Sequence, residues 1–89
     1  MDKNHIVIVD DDRSIRVVLS TALSRAGFNV SSSGTSAGLW SLIKSEDVDV
    51  LITDVGLPDG DTLDILPKIL DLKPDLKIIV ISARSTLLT

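Results

Sequence analysis

Asp10, Asp11, Asp12 and Asp54, together with Ser82, are the side chains whose types and spacing could do chemistry in this 89-residue sequence. Each lies where a short apolar run stops. His5-Ile6-Val7-Ile8-Val9 runs into the three consecutive acids, Val50-Leu51-Ile52-Thr53 runs into Asp54, and Lys77-Ile78-Ile79-Val80-Ile81 runs into Ser82-Ala83. If the three runs are parallel neighbouring strands, four carboxylates and one hydroxyl meet on one rim, where open α/β sheets place their ligand crevices. Carboxylates held that close repel one another and raise one another's pKa unless a cation compensates. Mg²⁺ takes oxygen ligands and is usually held by one or two carboxylates, with water and phosphate oxygens completing the shell. Asp10, Asp11 and Asp54 would supply such a site. A carboxylate beside bound Mg²⁺ can also act as a nucleophile toward phosphorus, and a hydroxyl such as that of Ser82 could hydrogen-bond a phosphoryl oxygen. The plainer alternative is that the acids are helix caps and solvated turn residues, a reading that Asp12 and Asp61 satisfy as well as any functional one.

The elements that must position these residues follow from pattern. Apolar runs of this length, rich in Val and Ile and bounded by turn signals, read as strands buried on both faces. Between the first two, Ile15, Val18, Leu19, Ala22, Leu23 and Ala26 form a helical stripe, opened at Asp12 or Arg13 and stopped by Gly27. Phe28–Ser31 is a short strand near an edge, Ser32-Ser33-Gly34-Thr35 is a turn, and Thr35 or Ser36 caps a second helix whose apolar face holds Leu39, Trp40 and Ile43. After Asp54, Pro58-Asp59-Gly60-Asp61 is a turn, and a third helix runs to about Lys73 with Pro67 inside it and Pro74 ending it. The order β-α-β-α-β-α-β with short connections predicts a parallel sheet with right-handed crossovers. Trp40 reads as a helix-to-sheet anchor and His5 as structural, since no second histidine exists to complete a pair. Arg16 and Arg84 read as solvated, with Arg84 near enough to the rim to approach a phosphate.

Composition narrows the classes. A hydrophobic fraction of 44% supports a packed domain rather than a disordered tail. The net charge of −4 argues against gripping nucleic acid by its phosphates. The absence of cysteine excludes disulfides and thiolate metal sites. No run reaches the ~20 apolar residues of a membrane span, and the four apolar residues after His5 are too few for a signal peptide, so a cytoplasmic location is expected.

These residues together resemble a known family. Ile8-Val9-Asp10-Asp11-Asp12 with Ile15-Arg16 downstream, Asp54 followed by Leu57-Pro58, and Ile81-Ser82-Ala83 are similar to the receiver domain of bacterial two-component response regulators. Leu39-Trp40, Leu66-Pro67-Lys68-Ile69 and Ser82-Ala83-Arg84-Ser85-Thr86 resemble the nitrogen regulatory branch of that family in alphaproteobacteria. The resemblance implies a flavodoxin-like, doubly wound parallel sheet of order 2-1-3-4, with residues 1–89 forming one receiver domain. It implies Asp54 as the phosphoacceptor and Asp11 as a direct Mg²⁺ ligand. Asp10 would be a ligand directly or through water, and the backbone carbonyl of Gly56 a further one. Ser82 would be the switch hydroxyl and Ala83 the small residue that leaves room for phosphate. The implied partners are a sensor histidine kinase and the regulator's own ATPase and DNA-binding domains, with transcription as the output. This segment itself would touch neither DNA nor membrane.

Two departures stand out. Relatives commonly carry glycine where Thr62 stands. The sequence also stops at Thr89, before the place where the resemblance implies a fourth helix, a fifth strand ending in a lysine, and a fifth helix. The expectation is therefore a C-terminally incomplete receiver. The strand through Ile81 would be an open apolar edge that invites a second copy. Two other functions compete. Asp10-Asp11-Asp12-Arg13-Ser14 also resembles the first motif of haloacid-dehalogenase-type phosphatases, although position 14 is serine and Asp54 with its Leu-Pro turn would go unexplained. A receiver-like interaction module that is never phosphorylated is the other.

Overall fold

Each apolar run forms the strand its pattern demands, and each interruption forms a turn or a helix. The computed structural model describes residues 4–54, 56–57 and 60–81. In chain order the elements are β1 (His5–Val9), α1 (Arg13–Arg25), β2 (Asn29–Ser33), α2 (Ser36–Ser45), β3 (Val50–Asp54), the two-residue strands β4 (Gly56–Leu57) and β5 (Gly60–Asp61), α3 (Thr62–Leu72) and β6 (Lys77–Ile81). The four long strands form one sheet in the order β2-β1-β3-β6, every neighbouring pair parallel. This is the expected 2-1-3-4 order of a flavodoxin-like, doubly wound sheet. The small antiparallel ladder of β4 with β5, Gly56 opposite Asp61 and Leu57 opposite Gly60, was not legible in the sequence.

Alternation along the strands separates two faces. Val7, Val9 and Leu51 pack with Leu39 and Ile43 of α2, Ile69 of α3, and Val48 and Leu76 from the connections. Trp40 lies half-buried against this cluster, as expected of an anchor, with the Lys44 ammonium 5.4 Å from its ring centroid. The opposite face carries α1, whose Ile15, Val18 and Leu19 line an apolar groove with Ile52, Ile79 and Ile81. No residue of α1 is fully buried, and Val18 is 65% exposed. The apolar stripe read from the sequence is therefore real as a helix but only half-used as a core face. Among the described helices, two cover one face of the sheet and one covers the other.

Helix ends follow local chemistry. Asp12 caps α1, its carboxylate accepting from the Ser14 and Ile15 N–H groups at 2.8 and 3.3 Å. Gly27, with φ +102°, takes the left-handed position beyond the helix. The Phe28 N–H then closes back onto the Leu23 carbonyl at 3.2 Å. That bond occupies Phe28 in the helix ending, so β2 begins at Asn29, one residue later than the sequence suggests, and extends to Ser33. Thr35 caps α2 by accepting from the Gly38 N–H at 3.1 Å. α3 runs through Pro67; whether Asp61 caps it falls outside the described side chains.

Gly38 is required by close approach. A Cβ there would lie 2.9 Å from the Ser33 Cβ and 3.2 Å from the Thr35 hydroxyl. Gly38→Ala would gain the ~1 kcal/mol of alanine's helix propensity against an overpacking cost of ~1–3 kcal/mol. The methyl would also overlap the Ser33 hydroxyl, which bonds the Thr35 N–H and carbonyl and would lose both bonds on rotating, while the Ser33 Cβ cannot move aside. A net loss of about 1 kcal/mol is expected, read as a Tm lower by ~4–8 °C; a raised Tm would refute the packing account.

The amino ends of the strands are tied by a polar cluster around His5. Its Nε2 lies 2.8 Å from Glu46 Oε1 and 2.9 Å from Ser31 Oγ, and its backbone N–H donates to Asp49 Oδ2 at 2.8 Å. His5 thus joins β1 to β2, to the end of α2 and to the residue entering β3, at the edge of the sheet opposite the acids. This is the structural role expected of it.

Candidate functional site

The register of the sheet brings the acids together. Val9 of β1 pairs with Thr53 of β3, so Asp10 and Asp11 leave β1 beside Asp54, which ends β3 opposite Ile81 of β6. One carboxylate oxygen from each of Asp10, Asp11 and Asp54 lies within 4.8 Å of the others. Asp10 is buried at 3% exposure, Asp54 is half-buried and Asp11 is exposed. The site is thus a graded rim, closed below by Asp10 and open to solvent at Asp11.

Asp12 is held apart from the cluster by its work at the helix. Its carboxylate is engaged by α1, and its backbone N–H donates to Asp10 Oδ1 at 2.8 Å. That bond turns the chain at the head of the rim. Of the four acids expected on one rim, three converge and the fourth positions them. Gly56 lies two residues beyond Asp54 in β4. Ser82, Ala83 and Arg84 lie outside the described residues.

Burial pushes the Asp10 carboxyl above its ordinary value of 3.8, and the negative charges of Asp54, Asp11 and Asp12 push the same way; the Asp12 N–H opposes them. The sign for stability follows. A carboxyl that binds its proton more tightly when folded adds stability below pH 3.8, and that stability is lost as pH rises through the raised value. At neutral pH the buried charge is therefore a cost to the metal-free fold. Asp10→Asn keeps the shape and the acceptor for the Asp12 N–H while removing that charge. In EDTA at pH 7 it is expected to raise Tm, by ~4–8 °C for each 1 kcal/mol relieved, and to flatten the decline of Tm with pH above 3.8. An unchanged or lower Tm at pH 7 would show that the charge is already compensated.

One contributor was misread in the sequence. Arg16 is not solvated: it is half-buried, and its Nη1 donates to the backbone carbonyl of Asp10 at 2.7 Å. It does so across Gly34, where a Cβ would come within 2.8 Å of the same nitrogen. The available signal was an arginine one helical turn beyond the capping acid, within reach of the loop it follows. Gly34 was read only as a turn residue.

A parallel sheet of order 2-1-3-4 with three carboxylates gathered at the carboxyl ends of its two central strands is the layout of a flavodoxin-like domain with its site at the strand ends. The response regulator receiver domain matches residues 6–88, and the chain belongs to that family. It is similar to the DNA-binding transcriptional regulator NtrC of Azospirillum brasilense, 46% identical over 84 residues, which is 94% of this chain and 18% of the relative. It is also similar to NtrC of Bradyrhizobium, 44% identical over all 89 residues and 18% of that protein. The resemblance to the alphaproteobacterial nitrogen regulatory branch therefore holds, and the chain spans under a fifth of the length of these relatives. Among solved structures, the response regulator TrrA of Thermotoga maritima in complex with Mg²⁺-BeF superposes with a TM-score of 0.85 at 27% identity, covering 96% of this chain and 74% of that one.

Proposed function

We propose that residues 1–89 act as a phosphoacceptor receiver domain, with Asp54 taking a phosphoryl group from the phosphohistidine of a sensor kinase and Asp10 and Asp11 holding Mg²⁺ beside it. The observation that carries this reading is the convergence of the Asp10, Asp11 and Asp54 carboxylates within 4.8 Å at the ends of two adjacent parallel strands. The donor set fits the ion: three hard oxygen ligands with mutual repulsion, one of them on a buried residue, suit a small divalent cation. TrrA, a relative by fold, is itself found with Mg²⁺ and a fluoroberyllate. When bound, Mg²⁺ supplies charge neutralisation for the phosphoryl oxygens.

The chain's own residues do the rest. Asp54, half-exposed at the end of β3, presents a carboxylate oxygen to the phosphorus. The histidine N–P bond breaks with its electron pair returning to the ring nitrogen, and an O–P bond forms to give an aspartyl phosphate. Asp10 and Asp11 would hold the Mg²⁺ ion, with the Gly56 carbonyl as a further ligand. By the family resemblance, Ser82 would supply a hydroxyl to the transferred group and Ala83 would be the small residue beside it. Modification would be passed to ATPase and DNA-binding domains of the full regulator, controlling transcription in nitrogen metabolism, in the cytoplasm. Among the described residues no helix is long and apolar enough to cross a membrane.

The test is stoichiometric. Incubating the full-length gene product with a small acyl phosphate or phosphoramidate and Mg²⁺ should place one hydroxylamine-labile phosphoryl group on each chain, and EDTA should prevent it. Continuous release of phosphate from simple phosphoesters would favour the phosphatase reading. Mg²⁺ binding without any uptake would favour an interaction module.

A further inference from the structure

We infer that Arg16 is a positioning residue for the acidic rim, its guanidinium seated over Gly34 and holding the Asp10–Asp11 peptide so that both carboxylates face Asp54. The inference rests on the reading of the rim as a Mg²⁺ site and adds to it a contact between α1, the β2–α2 turn and the metal ligands.

Three polar groups of Asp10 are each anchored to a different part of the fold. Its N–H donates to the Ser33 carbonyl at the end of β2 (3.1 Å), its Oδ1 accepts from the Asp12 N–H (2.8 Å), and its carbonyl accepts from Arg16 Nη1 (2.7 Å). The last bond is the only one of the three made by a side chain from α1. It fixes the plane of the peptide that joins Asp10 to Asp11, and that plane sets the direction in which the Asp11 side chain departs. The bond is charge-assisted, which makes it stronger than a neutral pair.

Gly34 makes the contact possible. A Cβ at this position would stand 2.8 Å from Arg16 Nη1, 3.4 Å from Cζ and 3.7 Å from the Asp10 carbonyl oxygen. A side chain here forces the guanidinium to shift from its seat on the carbonyl. Residues supporting metal ligands without touching the metal affect affinity strongly, and Arg16 occupies that place.

The sign of the effect separates positioning from simple electrostatics. A guanidinium near the site repels a divalent cation, so removing it for charge reasons alone would tighten Mg²⁺ binding. Removing it as a positioning residue weakens binding. By isothermal titration with MgCl₂, Arg16→Ala is expected to raise Kd about tenfold. Arg16→Lys, which keeps the charge but lacks the planar fork, is expected to recover part of that loss. Gly34→Ala changes no charge, yet it should also raise Kd. The double variant should bind no more weakly than Arg16→Ala alone, because with the guanidinium gone the new methyl displaces nothing.

A role in stability alone would lower Tm equally with and without Mg²⁺, whereas loss of positioning shrinks the Tm gain that Mg²⁺ confers. Arg16→Ala binding Mg²⁺ as tightly as the unsubstituted protein, or Gly34→Ala adding its full effect on top of Arg16→Ala, overturns the inference. If Arg16→Ala fails to fold, the folded Gly34→Ala protein decides, and an unchanged Kd overturns it. No binding by the unsubstituted protein overturns the rim as a metal site, and this inference with it.

Discussion

Asp54→Asn is expected to leave the protein folded and unable to accept phosphate, with labelling by a small phosphodonor falling by ~10³-fold or more, the scale on which loss of a nucleophile acts. Asparagine matches aspartate in shape, so the β3–β6 pairing of position 54 with Ile81 is undisturbed. Its amide oxygen carries no full charge and is a poor nucleophile. The neighbours cannot take over. Asp10 is 3% exposed with one oxygen already accepting from the Asp12 N–H, so no phosphodonor reaches it in line. Asp11 is exposed, but it stands on a turn rather than at the end of the central strand. Intact-mass measurement after incubation with donor and Mg²⁺, in the full-length gene product, reads the result directly. Undiminished labelling of the variant would transfer the acceptor role to Asp11.

Much of this site was legible in the sequence because strand ends are easy to read. Three apolar runs of similar length, each stopped by a polar residue, placed Asp10, Asp11 and Asp54 on one rim, and the parallel order followed from the intervening helices. The residues that shape the rim were harder to see. Asp12 looked equally like a ligand and a cap, since one carboxylate can do either, and only the bonds to the Ser14 and Ile15 N–H groups decide for the cap. Arg16 was read as solvated because an exposed arginine and one reaching back across a loop have the same letter and the same helical position. The half-used stripe of α1 has a similar cause. Helical periodicity reports which residues share a side, not how much cover that side receives, and Val18 of the stripe remains 65% exposed. The β4–β5 ladder depends on two pairs of residues, too few to leave a periodic signal.

The division of labour between neighbouring acids gives the second large effect. Asp11→Ala removes one of the three converging carboxylates and leaves two. Loss of a ligand should weaken Mg²⁺ by at least the ~10–100-fold that loss of a supporting partner already costs. Stability without metal should change little or rise, because an exposed like charge leaves the vicinity of Asp10. Asp12→Ala should do the reverse. It removes the α1 cap, worth ~1 kcal/mol, and lowers Tm by ~4–8 °C in a domain of this size. The backbone N–H that holds Asp10 Oδ1 survives the substitution, so the three-carboxylate cluster persists; only a nearby exposed charge that is no ligand is lost, and Mg²⁺ affinity should fall far less than in Asp11→Ala. The two variants therefore separate on two axes, Asp11→Ala losing metal affinity by titration and Asp12→Ala losing Tm in EDTA. If both lose Mg²⁺ to the same extent, Asp12 shares the ion and its helix-capping geometry belongs only to the metal-free protein. If neither loses it, Asp10 and Asp54 suffice as charged ligands and Asp11 is a bystander of the turn.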